Sequence, residues 1–337
     1  MVRVLFAGIL AMVISIAVGP KFIAFLRRRE YGQHIREEGP SHHVAKQGTP
    51  TMGGVLILLS MSIPYLFLSR FSTPALTVFF VTLGCGAVGF ADDFTKLTRK
   101  RSLGLSGRWK LLLLAGITAV VAWVTHHRSF ETSVYLPVVD AELPLSWAWY
   151  GLLFLIIAGA SNGANLTDGL DGLAAGIGMI AVFTFTAMNV LGYIRSGPVG
   201  ARSEVILDQA ILGAALVGAI LGFLWYNAFP AEVFMGDTGS MAIGGALASF
   251  AIVGKTEFLL ILVGGIFLIE ALSVMVQVFG FKYFGRRLFL MAPIHHHFEM
   301  KGWSETRIMV RFWILGAILC ALAFVLYYRY YFRFFRG

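Results

Sequence analysis

Acidic side chains beside apolar stretches are the first candidates for chemistry in this 337-residue chain, because a charge next to a membrane-like run is costly without a partner. Asp92 and Asp93 directly follow an apolar run that ends at Ala91. Two neighbouring carboxylates at the end of a helix repel each other and oppose the helix dipole. The pattern favours a functional pair with a cation or basic groups nearby over a merely solvated helix end.

Two further clusters could bind a phosphorylated ligand. Asp168 and Asp171 stand three residues apart among glycines, which leave backbone amides open to a phosphate. The alternative is a turn that ends one helix and caps the next. The segment 227–237 begins with Asn227 and places Phe234 close to Asp237, so its ring offers a stacking surface for a flat base or, alternatively, an interfacial anchor.

A histidine triplet, His295 to His297, is the fourth cluster. Three consecutive imidazoles cannot all reach one metal ion from regular backbone, so they are better suited to donate hydrogen bonds or carry protons beside a phosphate. Lys46 either joins such a site or is one more basic residue next to a span. Glu270 and Gln277 lie seven residues apart inside an apolar run, which predicts a functional acid or a hydrogen bond between helices.

The composition identifies the structure that must position these groups. Hydrophobic residues make up 58% of the chain and charged residues only 13%, too few to cover a water-soluble fold of this size. We therefore predict an all-α polytopic membrane protein. The net charge of +9 does not indicate nucleic-acid binding, because the basic residues are not interleaved with stacking aromatics. Cys85 and Cys320 lie in apolar runs and predict buried packing residues without a disulfide.

Windows of about 20 apolar residues predict ten transmembrane helices within one integral domain, residues 1–337. Aromatic residues at the predicted span ends, among them Trp149 and the Tyr327–Tyr331 run, are typical of an interfacial belt. The predicted spans are 4–22, 51–69, 74–91, 110–126, 147–163, 172–194, 208–226, 239–254, 257–279 and 307–328.

The loop charges predict the orientation. Most of the 27 Lys and Arg follow spans one, three and nine, so the positive-inside rule places the N-terminus and C-terminus outside the cytoplasm. Lys46, the Asp92 pair, the Asp168 cluster, the Asp237 segment and the histidine triplet follow spans one, three, five, seven and nine. All five therefore belong to the predicted cytoplasmic face. One composite site of carboxylates, amide-rich loops and cations suits Mg²⁺ with phosphates.

The order of these motifs resembles a known family. Segments 48–54, 89–93, 165–172, 234–237 and 291–299 are similar to those of the phospho-N-acetylmuramoyl-pentapeptide-transferases, within the polyprenyl-phosphate N-acetylhexosamine-1-phosphate transferases. The resemblance covers essentially the whole chain. It implies ten helices in the bacterial inner membrane and a cytoplasmic Mg²⁺ site. It also implies transfer of phospho-MurNAc-pentapeptide from UDP-MurNAc-pentapeptide to undecaprenyl phosphate, which gives lipid I and UMP in peptidoglycan synthesis, and a homodimer.

The resemblance also implies roles for individual residues. Asp237 is expected to bind the metal, and Asp92 and Asp93 to form the essential acidic pair. Lys96 and Lys110, from the basic loop after that pair, join the expected catalytic set together with Asn227, His295, His296 and His297. The expected substrate-binding residues, with Phe234 under the uracil ring, are Lys46, Asn165, Asp168, Gly169, Leu170, Asp171, Phe234, Glu270 and Gln277.

Two other functions compete with this reading. A sister transferase that uses UDP-N-acetylglucosamine would share the aspartate motifs. A cation-coupled transporter would also place acids within apolar helices, but transporters usually bind near the membrane midplane and often show broken-helix repeats. The acids are predicted to lie at one face of the membrane, and no sequence repeat is visible, so we favour the transferase.

Overall fold

The computed structural model describes residues 1–29, 48–99, 103–128, 130–137 and 139–331. Apart from one short hairpin, the regular elements in these residues are helices. The helices are α1 (Val2–Arg28), α2 (Gly54–Leu68), α3 (Thr73–Thr98), α4 (Gly107–His127), α5 (Ala148–Thr167), α6 (Leu173–Arg195), α7 (Glu204–Asn227), α8 (Gly236–Val253), α9 (Glu257–Val263), α10 (Gly265–Phe284), α11 (Ile294–Met300) and α12 (Glu305–Tyr330). The strands β1 (Ser133–Leu136) and β2 (Ala141–Pro144) pair antiparallel.

The helices confirm a polytopic membrane protein. Among the described residues, seven helices are long and apolar enough to cross a bilayer: α1, α3, α4, α6, α7, α10 and α12. Each of the ten predicted spans overlaps a helix in the expected order, but the ninth is interrupted at Gly264 between α9 and α10. The total of ten spans, the orientation and the single domain stay predictions.

Two helices form the centre of the bundle. Helix α7 packs against α1, α2 and α6, and helix α8 packs against α2, α3, α5 and α6. Nearly every side chain of α8 from Thr238 to Ile252 is buried. A helix that is apolar and buried all round belongs to the interior of a helical protein. Helix α8 therefore holds its first turn, which carries Asp237, in a fixed position.

Small residues allow α3 to approach α8 closely. A Cβ atom placed on Gly89 would lie 2.1 Å from the carbonyl oxygen of Asp237, far inside van der Waals contact. Close approach of helix backbones at small residues is a common means of packing in membranes. This contact brings the last turns of α3, with Asp92 and Asp93, to the first turn of α8.

At the other end of the bundle, a lysine fixes the hairpin that hydropathy did not predict. The Lys255 ammonium group donates hydrogen bonds to the carbonyl oxygens of Glu131 and Ser133, at 2.5 Å and 2.6 Å. Tyr135 of the hairpin meets Tyr331 edge to face, and both line a cavity of about 240 Å³ with Lys255. The hairpin and the end of α12 thus pack together.

The prediction of interfacial aromatic residues was wrong for Trp149 and for both ends of the Tyr327–Tyr331 run. Trp149, Tyr327 and Tyr331 are buried, with 1%, 6% and 4% of their surfaces exposed. The hairpin and neighbouring helix ends cover these rings, a tertiary contact that hydropathy does not reveal. The cysteine prediction was confirmed, since Cys85 and Cys320 are both buried and free.

The Gly89 contact predicts a specific packing defect. We expect Gly89→Ala to lower the thermal unfolding midpoint in detergent, because the added methyl group costs about 1–3 kcal/mol through overpacking. Gly116→Ala is the matched control, since nothing lies within 4 Å of a Cβ at that helical position. The control should match the parent or exceed it slightly through better helix propensity. Equal midpoints for the two variants would contradict the close α3–α8 approach.

Candidate active site

Three carboxylates meet where the end of α3 reaches the beginning of α8. Asp92, Asp93 and Asp237 each offer one oxygen atom, and these atoms lie within 4.8 Å of one another. Two predictions of helix boundaries were wrong here. Helix α3 continues past Ala91 to Thr98, so the acidic pair lies within its last two turns, and Asp237 belongs to the first turn of α8 instead of a loop. Contacts between these two helix ends stabilise turns that hydropathy alone assigns to loops.

Asp93 binds the N-terminus of α8. Its Oδ1 accepts a hydrogen bond from the Asp237 N–H at 3.1 Å, and its Oδ2 accepts from the Thr238 N–H and hydroxyl group at 2.9 Å and 2.7 Å. The first N–H groups of a helix lack partners within the helix and attract negative charge. Gly236 precedes them with a φ of 72°. A Cβ there would also lie only 2.7 Å from Asp93 Oδ2, so the turn suits glycine.

Two lysines bridge the other two carboxylates. Lys96 Nζ lies 2.7 Å from Asp92 Oδ2 and 2.9 Å from Asp237 Oδ1. Lys110 Nζ lies 2.7 Å from Asp237 Oδ2 and 3.2 Å from Asp92 Oδ1. Two positive charges therefore face three negative charges in one small volume, and each lysine reduces the repulsion between Asp92 and Asp237.

Asp92 is covered, whereas Asp237 is more accessible. The Asp92 side chain is 1% exposed and the Asp237 side chain 13%. The Leu105 N–H donates to Asp92 Oδ1 at 2.7 Å, and a Cβ on Gly104 would lie 2.3 Å from the same oxygen. The segment before α4 therefore covers Asp92. Of the two lysine-bridged acids, Asp237 is the one more open to a ligand.

Asp168 adds a fourth acidic group beside this cluster. Burial raises the pKa of Asp168 well above its ordinary value, and the negative charges of Asp237 and Asp93 raise it further. Lys96 and the Gly236 N–H oppose that shift by favouring the ionised form. The pKa of Asp168 thus depends on the charge of the three-aspartate cluster.

The turn after Asp168 is fixed by three side-chain hydrogen bonds. The side chain of Asn227 makes two of them. Its Oδ1 accepts from the Gly172 N–H at 3.2 Å, and its Nδ2 donates to the Val233 carbonyl at 2.9 Å. Asp171 Oδ2 accepts from the Ala231 N–H at 3.0 Å. Asn227 and Asp171 therefore join the turn to the segment that leads into α8. Residues 168–172 form a turn between α5 and α6, which is one of the two alternatives that the sequence left open.

The expected nucleoside residues lie at the edge of the same region, in three different environments. Phe234 is half-buried and its backbone pairs with residues 50 and 53, at 2.8 Å and 2.9 Å. The Asn165 amide donates to Ser240 Oγ at 3.1 Å. Gly169 is exposed, whereas the Leu170 side chain belongs to the core. Lys46 lies outside the described residues.

Each histidine of the triplet has a different partner. His295 Nδ1 lies 3.2 Å from Glu270 Oε1, with both side chains fully buried, and its Nε2 faces Gly169. His296 pairs with Glu299 one turn later in α11. His297 Nδ1 accepts from the Leu290 N–H at 3.1 Å, so that nitrogen carries a lone pair. His295 is the imidazole that the structure brings to the Gly169 turn.

Gln277 supports the segment between α10 and α11. Its Oε1 accepts from the Leu288 and Phe289 N–H groups at 3.0 Å and 2.9 Å, and its Nε2 donates to the Phe289 carbonyl at 2.9 Å. These bonds engage both ends of the amide. In this structure Gln277 shapes the backbone that leads to the histidine triplet.

Sequence reasoning missed the groups that hold the aspartates in place. Thr238, Gly104 and Leu105 contact Asp93 or Asp92 directly, but none carries a charge that would draw attention. The position of Thr238 immediately after Asp237 was the only available signal.

Models of known protein families match two segments of this chain. The model of glycosyl transferase family 4 matches residues 75–255, and phospho-N-acetylmuramoyl-pentapeptide-transferase signature 1 matches residues 46–58. Proteins named phospho-N-acetylmuramoyl-pentapeptide-transferase are similar along nearly their whole length. The relative from Halalkalibacterium halodurans is 46% identical over 94% of this chain and 95% of its own, and the one from Bacillus subtilis is 46% identical over 95% and 96%. The chain belongs to the phospho-N-acetylmuramoyl-pentapeptide-transferase family.

The similarity to this family extends over nearly the whole chain and includes the aspartate cluster. A further phospho-N-acetylmuramoyl-pentapeptide-transferase, from Rubrobacter xylanophilus, is 45% identical over 97% of this chain and 98% of its own. The glycosyl transferase match runs from α3 to the turn after α8 and so contains all three clustered aspartates. The signature match covers the segment whose backbone pairs with Phe234. The predicted multi-pass bacterial membrane transferase is thus confirmed at this level.

The contact between Asp93 and Thr238 predicts how this member of the phospho-N-acetylmuramoyl-pentapeptide-transferase family responds to a small change. Thr238→Val removes the hydroxyl donor but keeps the side-chain shape, and a hydrogen bond to a charged group contributes about 1.5–3 kcal/mol. We expect a lower unfolding midpoint and about tenfold less transferase activity. Thr238→Ser keeps the donor and should restore most of both. A valine variant indistinguishable from the parent would show that the contact does not position Asp237.

Proposed function

We propose that this protein transfers phospho-MurNAc-pentapeptide from UDP-MurNAc-pentapeptide to undecaprenyl phosphate, giving lipid I and UMP, the first membrane step of peptidoglycan synthesis. Family membership and the names of the relatives support the reaction. The cluster of Asp92, Asp93 and Asp237 with two lysines is the structural observation that carries the proposal. Phosphoryl transfer depends on placing charges around a reacting phosphorus more than on covalent chemistry of the protein.

In the proposed reaction, an oxygen of the lipid phosphate attacks the β-phosphorus of the UDP-sugar. A new P–O bond forms to the acceptor, and the bond to the bridging oxygen breaks, so UMP leaves with that electron pair. Both substrates are anionic, and the Lys96 and Lys110 ammonium groups reduce their repulsion at this place. Asp92 either accepts a proton from the lipid phosphate or attacks first to form a covalent phospho-sugar.

The donor set also fits Mg²⁺. The cluster offers carboxylate oxygens without sulfur or imidazole nitrogen, the chemistry that this ion prefers. Asp237 is our proposed ligand, since it is more exposed than Asp92 and its oxygens are not used by backbone donors. Asp93 is a positioning residue, because the first turn of α8 engages both of its oxygens. When bound, Mg²⁺ would neutralise charge on the diphosphate.

The nucleoside would lie across the turns that flank the aspartates. Phe234 presents a half-buried ring that fits a flat base. Gly169 lies beside the buried His295 and fits the ribose of the same nucleoside. We retain Asn165, Asp168, Leu170 and Lys46 as proposed contacts of the same pocket. Asp171, Asn227 and Gln277 hold the backbone of these turns in the structure, and Glu270 pairs with His295, so we propose that they position the pocket.

The location follows from the same residues. The aspartates and both bridging lysines lie at helix ends on the predicted basic side, which supports a site at the cytoplasmic face of the bacterial inner membrane. Acids near helix ends also weigh against a transporter, whose site would lie near the midplane. The homodimer rests on the family resemblance alone.

A UMP-release assay with undecaprenyl phosphate tests the function. UDP-MurNAc-pentapeptide should give UMP and lipid-linked product only when Mg²⁺ is present, and chelation of the metal should stop the reaction. UDP-N-acetylglucosamine should be a poor donor because we propose the muramoyl substrate. A preference for that simpler donor would support the sister transferase, and ion uptake without UMP release would support a transporter.

Two variants separate the proposed roles of the acids. Asp237→Asn should raise the Mg²⁺ concentration needed for UMP release and regain some activity at high Mg²⁺. Asp92→Asn should lower kcat by about 10²-fold or more, the usual scale for loss of a proton acceptor, without rescue by metal. UDP-sugar binding should survive Asp92→Asn, because other loops build the nucleoside pocket. If added metal rescues Asp92→Asn instead, the two assignments are reversed.

A further inference from the structure

Two arginines at the beginning of α12 share one aromatic ring. The guanidinium carbon of Arg307 lies 4.7 Å from the ring centroid of Trp303, and that of Arg311 lies 4.4 Å from it. The residues are four apart, so they are neighbours on one face of the helix. Like charges at this spacing repel each other, and the indole ring offsets part of that repulsion through cation–π contact.

The ring that holds the arginines is itself fixed. The Trp303 ring stacks on Phe298 with centroids 4.7 Å apart, and the backbone N–H of Trp303 donates to the Phe298 carbonyl at 3.1 Å. The next residue, Ser304, caps α12 by accepting from the Arg307 N–H at 3.3 Å. The loop between α11 and α12 thus places Trp303 against the first two turns of α12. We call Trp303, Arg307 and Arg311 the arginine clamp.

The clamp carries two positive charges at neighbouring positions of α12. Within the part of the chain that the structure describes, no carboxylate forms an ion pair with Arg307 or Arg311, and both side chains are exposed. A guanidinium group stacked on an aromatic face keeps its N–H edge available for planar acceptors. The clamp therefore presents two adjacent sets of donors to an anion.

The surroundings of the clamp indicate where that anion comes from. Ile314, Leu315 and Ile318 follow Arg311 at helical spacing and are 53%, 51% and 58% exposed. In a polytopic membrane protein an exposed apolar helix face is covered by lipid chains. The arginines thus lie in the first two turns of α12, next to this exposed apolar face, where lipid headgroups would meet the helix.

We propose that the arginine clamp binds the phosphate group of an anionic phospholipid. Guanidinium groups bind phosphate oxygens through paired N–H donors, and a lipid held there would place its acyl chains along Ile314 and Ile318. The cation–π contacts order both arginines before a lipid arrives, which reduces the entropy lost on binding. This site does not use the aspartate cluster and is distinct from the proposed transfer reaction.

Native mass spectrometry of the detergent-purified full chain with defined lipids tests the proposal. The parent protein should retain phosphatidylglycerol in preference to phosphatidylcholine, and each arginine should contribute about fivefold to that preference. The double variant Arg307→Gln/Arg311→Gln should lose the preference. Arg329→Gln is the matched control, since Arg329 is an exposed arginine over the ring of Tyr330 at the opposite end of α12.

Two further arms make the test specific. Arg311→Lys keeps the charge but loses the planar fork, so it should lose only part of the fivefold contribution of Arg311, about twofold. Inorganic phosphate at millimolar concentration should not displace the lipid, because it lacks acyl chains. The proposal is overturned if the double variant retains phosphatidylglycerol like the parent, if Arg311→Lys is unchanged, or if free phosphate competes.

Discussion

The binding of Asp93 by the first turn of α8 is the interaction on which the rest of the site depends. A carboxylate buried at the end of one helix is stabilised by the unpaired N–H groups at the beginning of another. This contact fixes the end of α3 against Asp237. It leaves Asp92 and Asp237 facing each other, and their repulsion is offset by Lys96 and Lys110. The charged centre is therefore an outcome of helix packing, with Gly89 providing the close approach.

The turns around this centre are held by side chains that are uncharged or that use their charge to accept a backbone hydrogen bond. Asn227 joins the Gly172 turn to the segment before α8, and Gln277 engages the backbone before α11. Asn227 satisfies buried backbone groups, and Gln277 satisfies the half-buried N–H and carbonyl groups of Phe289, which would otherwise be costly. Such residues give the pocket its shape, while Lys96, Lys110, Asp92 and Asp237 give it its charge. In the same way, the arginine clamp carries charge, whereas Ser304 only caps α12, the helix that bears the two arginines.

Much of the helical framework could be predicted from the sequence, because long apolar runs have few alternatives in a membrane. The ends of helices could not. Helix α3 continues to Thr98 and α8 begins at Gly236 because Asp93 and the α8 N-terminus stabilise each other, a contact between residues 144 positions apart. Burial of Trp149 and Tyr331 likewise depends on a hairpin with no hydropathy signal.

The candidate site was predictable to the extent that its residues carry charge. Asp92, Asp93 and Asp237 are costly near apolar segments, and that cost reveals them in the sequence. Thr238 and Gly104 give no such signal, since their importance depends on which carboxylate they meet. Gln277 is expected to contact the substrate, and in the structure its amide is engaged by the backbone at Leu288 and Phe289.

Binding of Mn²⁺, an analogue of Mg²⁺ with oxygen ligands, followed by electron paramagnetic resonance tests the central role of Asp93 most directly. Asp93→Asn keeps Asp92 and Asp237 but weakens the acceptor for the α8 N-terminus. Asp208→Asn is the matched control, because Asp208 is a buried carboxylate that accepts the Arg70 and Ser72 N–H groups at the opposite end of α3. We predict about tenfold weaker Mn²⁺ binding for Asp93→Asn and parental binding for Asp208→Asn. Parental Mn²⁺ affinity in Asp93→Asn would contradict the account.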